Sequence, residues 1–473
     1  MKTYVKRALC IVLCIAIAIG GLWYMDRVLK MKRVDGILTM QNFYAQPEGS
    51  VDVLLVGNSH SGINVDTATL WKEYGIASYN LWGGVQPLWN SYHFIVEALK
   101  YQTPKVIALE ITAAISDYEY SEDQNQIKNT VGMKLSKNKL EAVKVSAPKD
   151  KWLNLMLGFP MYHNRFDELS YDDFANFPWS DGLENFKGSY LLYGVGSYEF
   201  ESAEGVTECR EIMYKQEEYL LKIIDLCKEK NIPLLLFKST ALERKDAQEI
   251  FNTVSVIAEE NGLNFLNMNL LDEEVGITPA DYSTDRHMNG SGARKVARYM
   301  GAYLQENYDV PDRRGEAGFE SWDVNAAVID NDYLCEIDDT TDYFDELAYS
   351  GKQVVIVKNQ PSESNESYNE FIKQFEKLGV DAEVMSTALA GGQKTWCSSG
   401  AAPIVDGQSY SYDLGGKMLN VNFEYLDVVF GNEKLLYFGT ADFVVLVYDP
   451  VTGTVVDTPM FMFANGYDVY RSE

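Results

Sequence analysis

The apolar positions of this chain fall into three regimes. They run continuously from Ala8 to about Met25, come in short blocks between Val51 and Asn307, and take on a β-like rhythm beyond Phe319. A continuous run of roughly 18 residues just suffices to cross a bilayer core as a helix. Lys2, Lys6 and Arg7 precede it, and Asp26, Arg27, Lys30, Lys32 and Arg33 follow it. Ala16, Ala18 and Gly20 would suit a signal peptidase, but the length of the run and its basic far side favour an uncleaved anchor. Basic residues on both flanks leave its orientation ambiguous by charge, and the short N-terminal tail favours a body outside the cytoplasm.

In the middle region the blocks alternate between strand-like and helix-like. Val51–Val56 reads as a strand, Asp66 and Thr67 cap a helix to about Tyr74, and Ile76–Leu81 is a second strand. Pro87 opens a helix to about Lys100, and Lys105–Ile111 is a third strand. The rhythm then stops from about 112 to 205, where only a helix near Lys134–Val145 stands out, so this stretch reads as a large insertion. It resumes with a helix over Glu211–Lys230, a strand at Ile232–Phe237, a helix at Asp246–Asn261 and a strand at Leu263–Met268. A last helix ends near Asn307. Strands and helices at this spacing predict an α/β fold, a flavodoxin-like three-layer parallel sheet.

The charged, Gly- and Pro-containing stretch 310–320 reads as a linker. It separates the α/β domain, 36–309, from a smaller β-rich α+β accessory domain, 321–473, and residues 1–35 form the anchor. In the accessory domain Gln353–Lys358 predicts a strand, Ser367–Leu378 a helix and Phe443–Val456 a hairpin.

Composition narrows the function. A formal charge of -28 over 473 residues excludes ordinary nucleic-acid binding, which needs clustered Lys and Arg. Cys10 and Cys14 lie in the apolar run, and Cys209, Cys227, Cys335 and Cys397 are scattered, leaving a bridge among them open. No HExxH, CxxC, carboxylate cluster or phosphate loop is present, so no metal and no cofactor is expected.

The candidate chemistry starts at Gly57-Asn58-Ser59-His60, just after the first strand. Reactive groups in open α/β sheets sit at the carboxyl ends of strands, which makes Ser59 a candidate nucleophile. A serine needs a base, and the chain holds only four histidines: His60, His93, His163 and His287. His287 follows the fifth strand and so returns to the same edge, and Asp285 can orient it from two residues away. A plain surface loop ending in a cap at Asn289 is the alternative. His60 is balanced between substrate contact and structure, and His93 reads as structural. His163 and Arg165, in the insertion, are candidates for substrate contact or for holding their loop.

A serine block after strand one, a glycine block after strand two and an Asp/His block before the last helix together resemble the SGNH/GDSL hydrolase superfamily. The resemblance covers about Val51–Asn307 and is closest to the membrane-anchored DltD-, AlgJ- and AlgX-like branch of O-acyltransferases and esterases. It implies Ser59 as nucleophile, His287 as base and Asp285 as acid, with Asp281 in reserve, whereas the usual acid position holds Thr284. The customary Gly-x-Asn-Asp block is absent, because Glu110-Ile-Thr-Ala-Ala114 stands in its place. Oxyanion donors are then expected from Ser59, Gly83, Gly84 and Asn80. The implied function is O-acylation of a cell-envelope polysaccharide or teichoic acid, with a multi-pass membrane O-acyltransferase as partner. A carbohydrate O-acetylesterase, or a non-catalytic glycan-binding surface protein on the same scaffold, are the alternatives. The C-terminal domain resembles the interleukin-like (ILEI) domain.

Overall fold

The computed structural model describes residues 2–29, 34–158, 165–175, 183–198, 202–241, 245–284, 286–359, 366–398, 400, 403–463 and 469–471. The chain divides into two units, Met1–Trp322 and Asp323–Glu473.

The first unit is built on five parallel strands: β1 (Val53–Gly57), β2 (Ser78–Trp82), β3 (Val106–Glu110), β4 (Leu234–Lys238) and β5 (Asn264–Asn267). Their spatial order is β2-β1-β3-β4-β5. Helices cover both faces, so β1 to β4 are buried at every position, and β1, β3 and β4 read in sequence as nearly continuous apolar runs, while β2 carries Ser78 and Asn80. This strand order reverses between β1 and β3, and there the connections leave in opposite directions and open a crevice.

Local chemistry fixes the helices. Asp66 caps Thr67–Tyr74 by accepting the N–H groups of Ala68 at 2.9 Å and Thr69 at 3.2 Å. Pro87 precedes Leu88–Ala98, where its missing donor costs nothing. The strands start one or two residues later than the apolar runs suggest, and the third and fifth also end one residue earlier. Asp52, counted in the first strand, instead turns its carboxylate to Arg313 at 2.8 and 3.2 Å.

That pair also alters the expected linker, because 310–320 packs on the first unit. Arg313 N–H donates to the Gly75 carbonyl, and beyond it Trp322 is fully buried, donating its indole N–H to the Ser78 carbonyl at 3.0 Å.

The insertion between β3 and the helix Tyr214–Lys230 carries short helices at Asp123–Lys128, Lys137–Ser146, Trp152–Leu157 and Tyr171–Ala175. His93 holds one of them. Its Nδ1 lies 2.8 Å from Asn138 Oδ1, and Asn138 Nδ2 donates back to the His93 carbonyl at 2.9 Å. Burial lowers the His93 pKa, so the imidazole is a neutral packing element. The N-terminal helix Lys2–Leu29 is exposed over most of its length and is long and apolar enough to cross a membrane. The six cysteines are free thiols.

The second unit contains two antiparallel sheets. One joins β6 (Gln353–Lys358) and β7 (Thr395–Cys397) to β13 (Phe443–Asp449), β14 (Thr454–Asp457) and β15 (Met460–Phe461). The other runs through β8 to β12 over Ile404–Tyr437. Alternation sorts the first sheet's side chains. Val354, Ile356, Phe443 and Val445 pack on helices, while Val355, Val357, Val444 and Leu446 pack on the second sheet.

Candidate active site

β1 delivers the chain to Asn58, whose extended backbone and side chain start a single helical turn, Ser59–Gly62. Asn58 Oδ1 accepts the His60 N–H at 2.9 Å. Ser59 therefore sits at the first position of a capped turn at the carboxyl end of a central strand. Two further groups seat that turn. Asn80 on β2 donates to the Ser61 carbonyl at 2.6 Å and accepts the Ser61 hydroxyl at 2.7 Å. Gly62 lies flat on the Trp82 indole, where an added Cβ would fall 1.9 Å from the ring.

His287 arrives 228 residues later, and its Nε2 lies 2.8 Å from Ser59 Oγ. Its loop is closed on itself. The N–H groups of Ser283 and Thr284 both donate to the His287 carbonyl at 3.1 Å, and Tyr282 bridges Met288. Met288 N–H donates to Asn64 Oδ1 at 3.1 Å, tying this loop to the chain just after the Ser59 turn. Thr284 Oγ1 accepts the His287 backbone N–H at 3.0 Å and lies 3.3 Å from Nδ1. Asp285 lies outside the described residues, as does His163. Asp281 is committed elsewhere, because its carboxylate takes the Lys295 ammonium at 2.7 Å, the Ser291 hydroxyl and the Thr278 N–H. Burial opposes its ionisation, yet these donors hold its pKa below the ordinary value.

Ser59 and His287 open onto a cavity of about 600 Å³ over the β1/β3 crevice. Asn58, Ser59 and His60 line it from the turn after β1, Thr112, Ile115 and Ser116 from the turn after β3, and Val85 from the loop after β2. Arg210, Asp246 and Arg286 complete the charged part of the wall.

Several expected site residues are placed elsewhere. Asn80 donates its side-chain amide to the Ser61 carbonyl and is not among the residues lining the cavity. Gly83 and Gly84 face Asn129 and Asp35, with no room for a Cβ, and the loop's cavity-lining residue is Val85. Arg165 is a brace rather than a substrate contact. It donates to both Asp173 carboxylate oxygens at 3.0 Å and to the Leu29 carbonyl at 3.0 Å. In place of the absent Gly-x-Asn-Asp block, Thr112 donates both its N–H (3.0 Å) and its hydroxyl (2.6 Å) to buried Glu110, leaving neither for substrate.

Val85 could not be found by looking for glycines. Its φ of 51° is a left-handed conformation that β-branched side chains strongly resist, and such strain clusters at functional sites. Among the described residues, neither the Ser59 nor the Val85 N–H has a hydrogen-bond partner. Val85→Gly is expected to keep full stability or gain up to about 1 kcal/mol, where an unstrained Val→Gly change would lose it. Thermal unfolding of the two proteins checks this.

His60 is buried beside His287, with ring centroids 5.3 Å apart. Its Nδ1 is buried without a partner. Burial first, then the charges of Lys238, His287 and Arg286, lower its pKa well below 6.5. The folded protein therefore refuses a proton that the unfolded chain accepts, so stability is whole above about pH 6.5 and falls as pH drops below it. The loss approaches about 1.4 kcal/mol per pH unit. His60→Asn should flatten that slope in urea titrations run between pH 7.5 and 5, and an unchanged slope would contradict the buried-neutral assignment.

Comparison with known proteins finds no matching family model and no matching curated protein. Among solved structures, a provisionally named acylhydrolase from Bacteroides fragilis NCTC 9343 is similar over 56% of this chain and 93% of its own, at 10% identity and a TM-score of 0.28. A provisionally named GDSL-like lipase from Parabacteroides merdae ATCC 43184 matches 55% of this chain and 98% of its own, at 14% identity and a TM-score of 0.28. A gut microbial diltiazem-metabolizing enzyme matches 55% of this chain and 48% of its own, at 15% identity and a TM-score of 0.21. The fold and site together define a class: a doubly wound α/β protein with a serine–histidine pair at the carboxyl edge of its sheet.

Proposed function

We propose that this protein is a membrane-anchored, extracytoplasmic serine acyltransferase of the SGNH type. It would O-acylate a cell-envelope polysaccharide or teichoic acid through an acyl-serine at Ser59. The observation that carries this reading is the 2.8 Å contact between Ser59 Oγ and His287 Nε2, set in a cavity at the β1/β3 crevice.

In the proposed reaction Ser59 Oγ attacks the acyl carbonyl while His287 Nε2 takes its proton. The N–H groups of Ser59 and Val85 are our candidates for the oxyanion, and Asp285 for the carboxylate that orients His287. The tetrahedral adduct collapses, and His287 returns the proton to the departing oxygen. A sugar or polyol hydroxyl, deprotonated by the same imidazole, then takes the acyl group from serine, and the imidazolium returns that proton to the departing Ser59 Oγ. Water in that role would make the protein an esterase. The apolar N-terminal helix supports transfer at the membrane surface, where a multi-pass membrane O-acyltransferase could supply the acyl donor.

A serine-directed fluorophosphonate should label the protein, and Ser59→Ala should abolish the labelling. Envelope O-acyl content separates the two outcomes of the chemistry. Cells carrying Ser59→Ala should show less O-acylation if the protein is a transferase, and more would identify an esterase.

A further inference from the structure

Catalysis leaves one part of the insertion unused. Leu153, Leu157, Phe166, Tyr171 and Phe174 are 67%, 51%, 70%, 83% and 49% exposed. Large apolar side chains gathered in this way on a folded surface mark a contact site. They project from the helices Trp152–Leu157 and Tyr171–Ala175 and from the turn Arg165–Asp167.

These elements surround the inner end of the N-terminal helix. Leu29 shares a buried cluster with Val143 and Leu155, and Trp152, Met156 and Leu169 pack against it. Arg165 closes the joint, donating to the Leu29 carbonyl at 3.0 Å while gripping Asp173. The exposed apolar residues thus lie beside the point where a helix fit to cross a bilayer meets the body. Charge adds a second indication on one side of the patch. In a chain of net charge -28, the stretch 134–157 holds six lysines against two acids, with Lys139 buried and Lys151 paired to Asp123, whereas 165–175 holds one arginine against four acids. Lys144 and Lys149 are exposed just before the Trp152–Leu157 helix, and the Lys144 ammonium lies 5.7 Å from the Trp152 ring centre.

We infer that this part of the insertion is an interfacial foot, seated in the lipid headgroup layer of the membrane that the N-terminal helix enters. Leu and Phe side chains would reach the acyl boundary, the aromatic rings of Trp152 and Tyr171 would lie at headgroup level, and Lys144 and Lys149 would meet lipid phosphates. The inference rests on the anchor reading. It adds that the body is held against the bilayer rather than swinging on a tether.

The test uses the full chain, with exposed Cys10, Cys14 and Cys209 replaced by serine, in vesicles of phosphatidylcholine and phosphatidylglycerol. A nitrobenzoxadiazole fluorophore is attached at Leu157→Cys or Phe166→Cys, each an exposed position whose change leaves the core intact. Ile15→Cys, within the apolar helix, reports the anchor. Val256→Cys, on the helix Lys245–Asn261 beside β5, reports the body away from the foot. Lipids spin-labelled near the headgroup should quench about half or more of the emission at 157 and 166 and little at 256. Quenching at 15 by a deeply labelled lipid with none at 157 and 166 would overturn the foot and leave the anchor standing. No quenching at 15 would overturn both.

Discussion

Ser59→Ala is expected to lower turnover of 4-nitrophenyl acetate by about three orders of magnitude or more, with His287→Ala falling to nearly the same level. The expectation follows from the two atoms lying 2.8 Å apart. A neutral hydroxyl is a poor nucleophile, and a base already in hydrogen-bond contact removes its proton as the new bond forms. The two losses should not add, because each change disables the same step, and the double variant should match either single one. A His287→Ala protein that kept most of its activity would mean that another group activates Ser59. Steady-state kinetics on the three variants and the parent decides it.

Gly62→Ala is expected to be severely damaging for so small a change. One methyl group would have to occupy the space 1.9 Å from the Trp82 indole, and Trp82 is itself fixed by donating to the Gly188 carbonyl at 2.6 Å. Overpacking of this kind costs about 1–3 kcal/mol when the surroundings can adjust, and more when they cannot. The Ser59 turn would have to lift off β2 to make room, breaking its hydrogen bonds to Asn80. Ester turnover should therefore collapse along with stability. A smaller side chain at position 82, in Gly62→Ala/Trp82→Leu, should restore part of both. Thermal unfolding and ester turnover, measured on the single and double variants, check this.

Much of the architecture was legible because strands buried on both faces carry a simple signal. Val53–Gly57, Val106–Glu110 and Leu234–Lys238 are short apolar blocks whatever packs on them, and the intervening helices show a clear period. Ser59 and His287 were legible for a related reason. Parallel topology returns every strand's carboxyl end to one edge, and only four histidines competed for the role of base. The finer site was not legible. Val85 lines the cavity in a conformation that its side chain argues against, so a search for glycines stopped at Gly83 and Gly84. Arg165 read equally as a substrate contact or as a support for its loop, because its partners, Asp173 and Leu29, depend on how the insertion folds back. The packing of 310–320 was not legible, because charge and glycine content say nothing of a partner such as Asp52, far away in sequence. The sheet over Ile404–Tyr437 was missed since most of its strands are half exposed and only weakly apolar.

The central claim is that Ser59 carries the acyl group between donor and acceptor. Mass spectrometry of the protein, quenched in acid within seconds of mixing with 4-nitrophenyl acetate, tests it most directly. The account predicts an acetyl group on the peptide containing Ser59, absent from Ser59→Ala and not formed on the same timescale in His287→Ala. Ester turnover with Ser59 unmodified, or an acetyl group that forms as fast in His287→Ala, would contradict it.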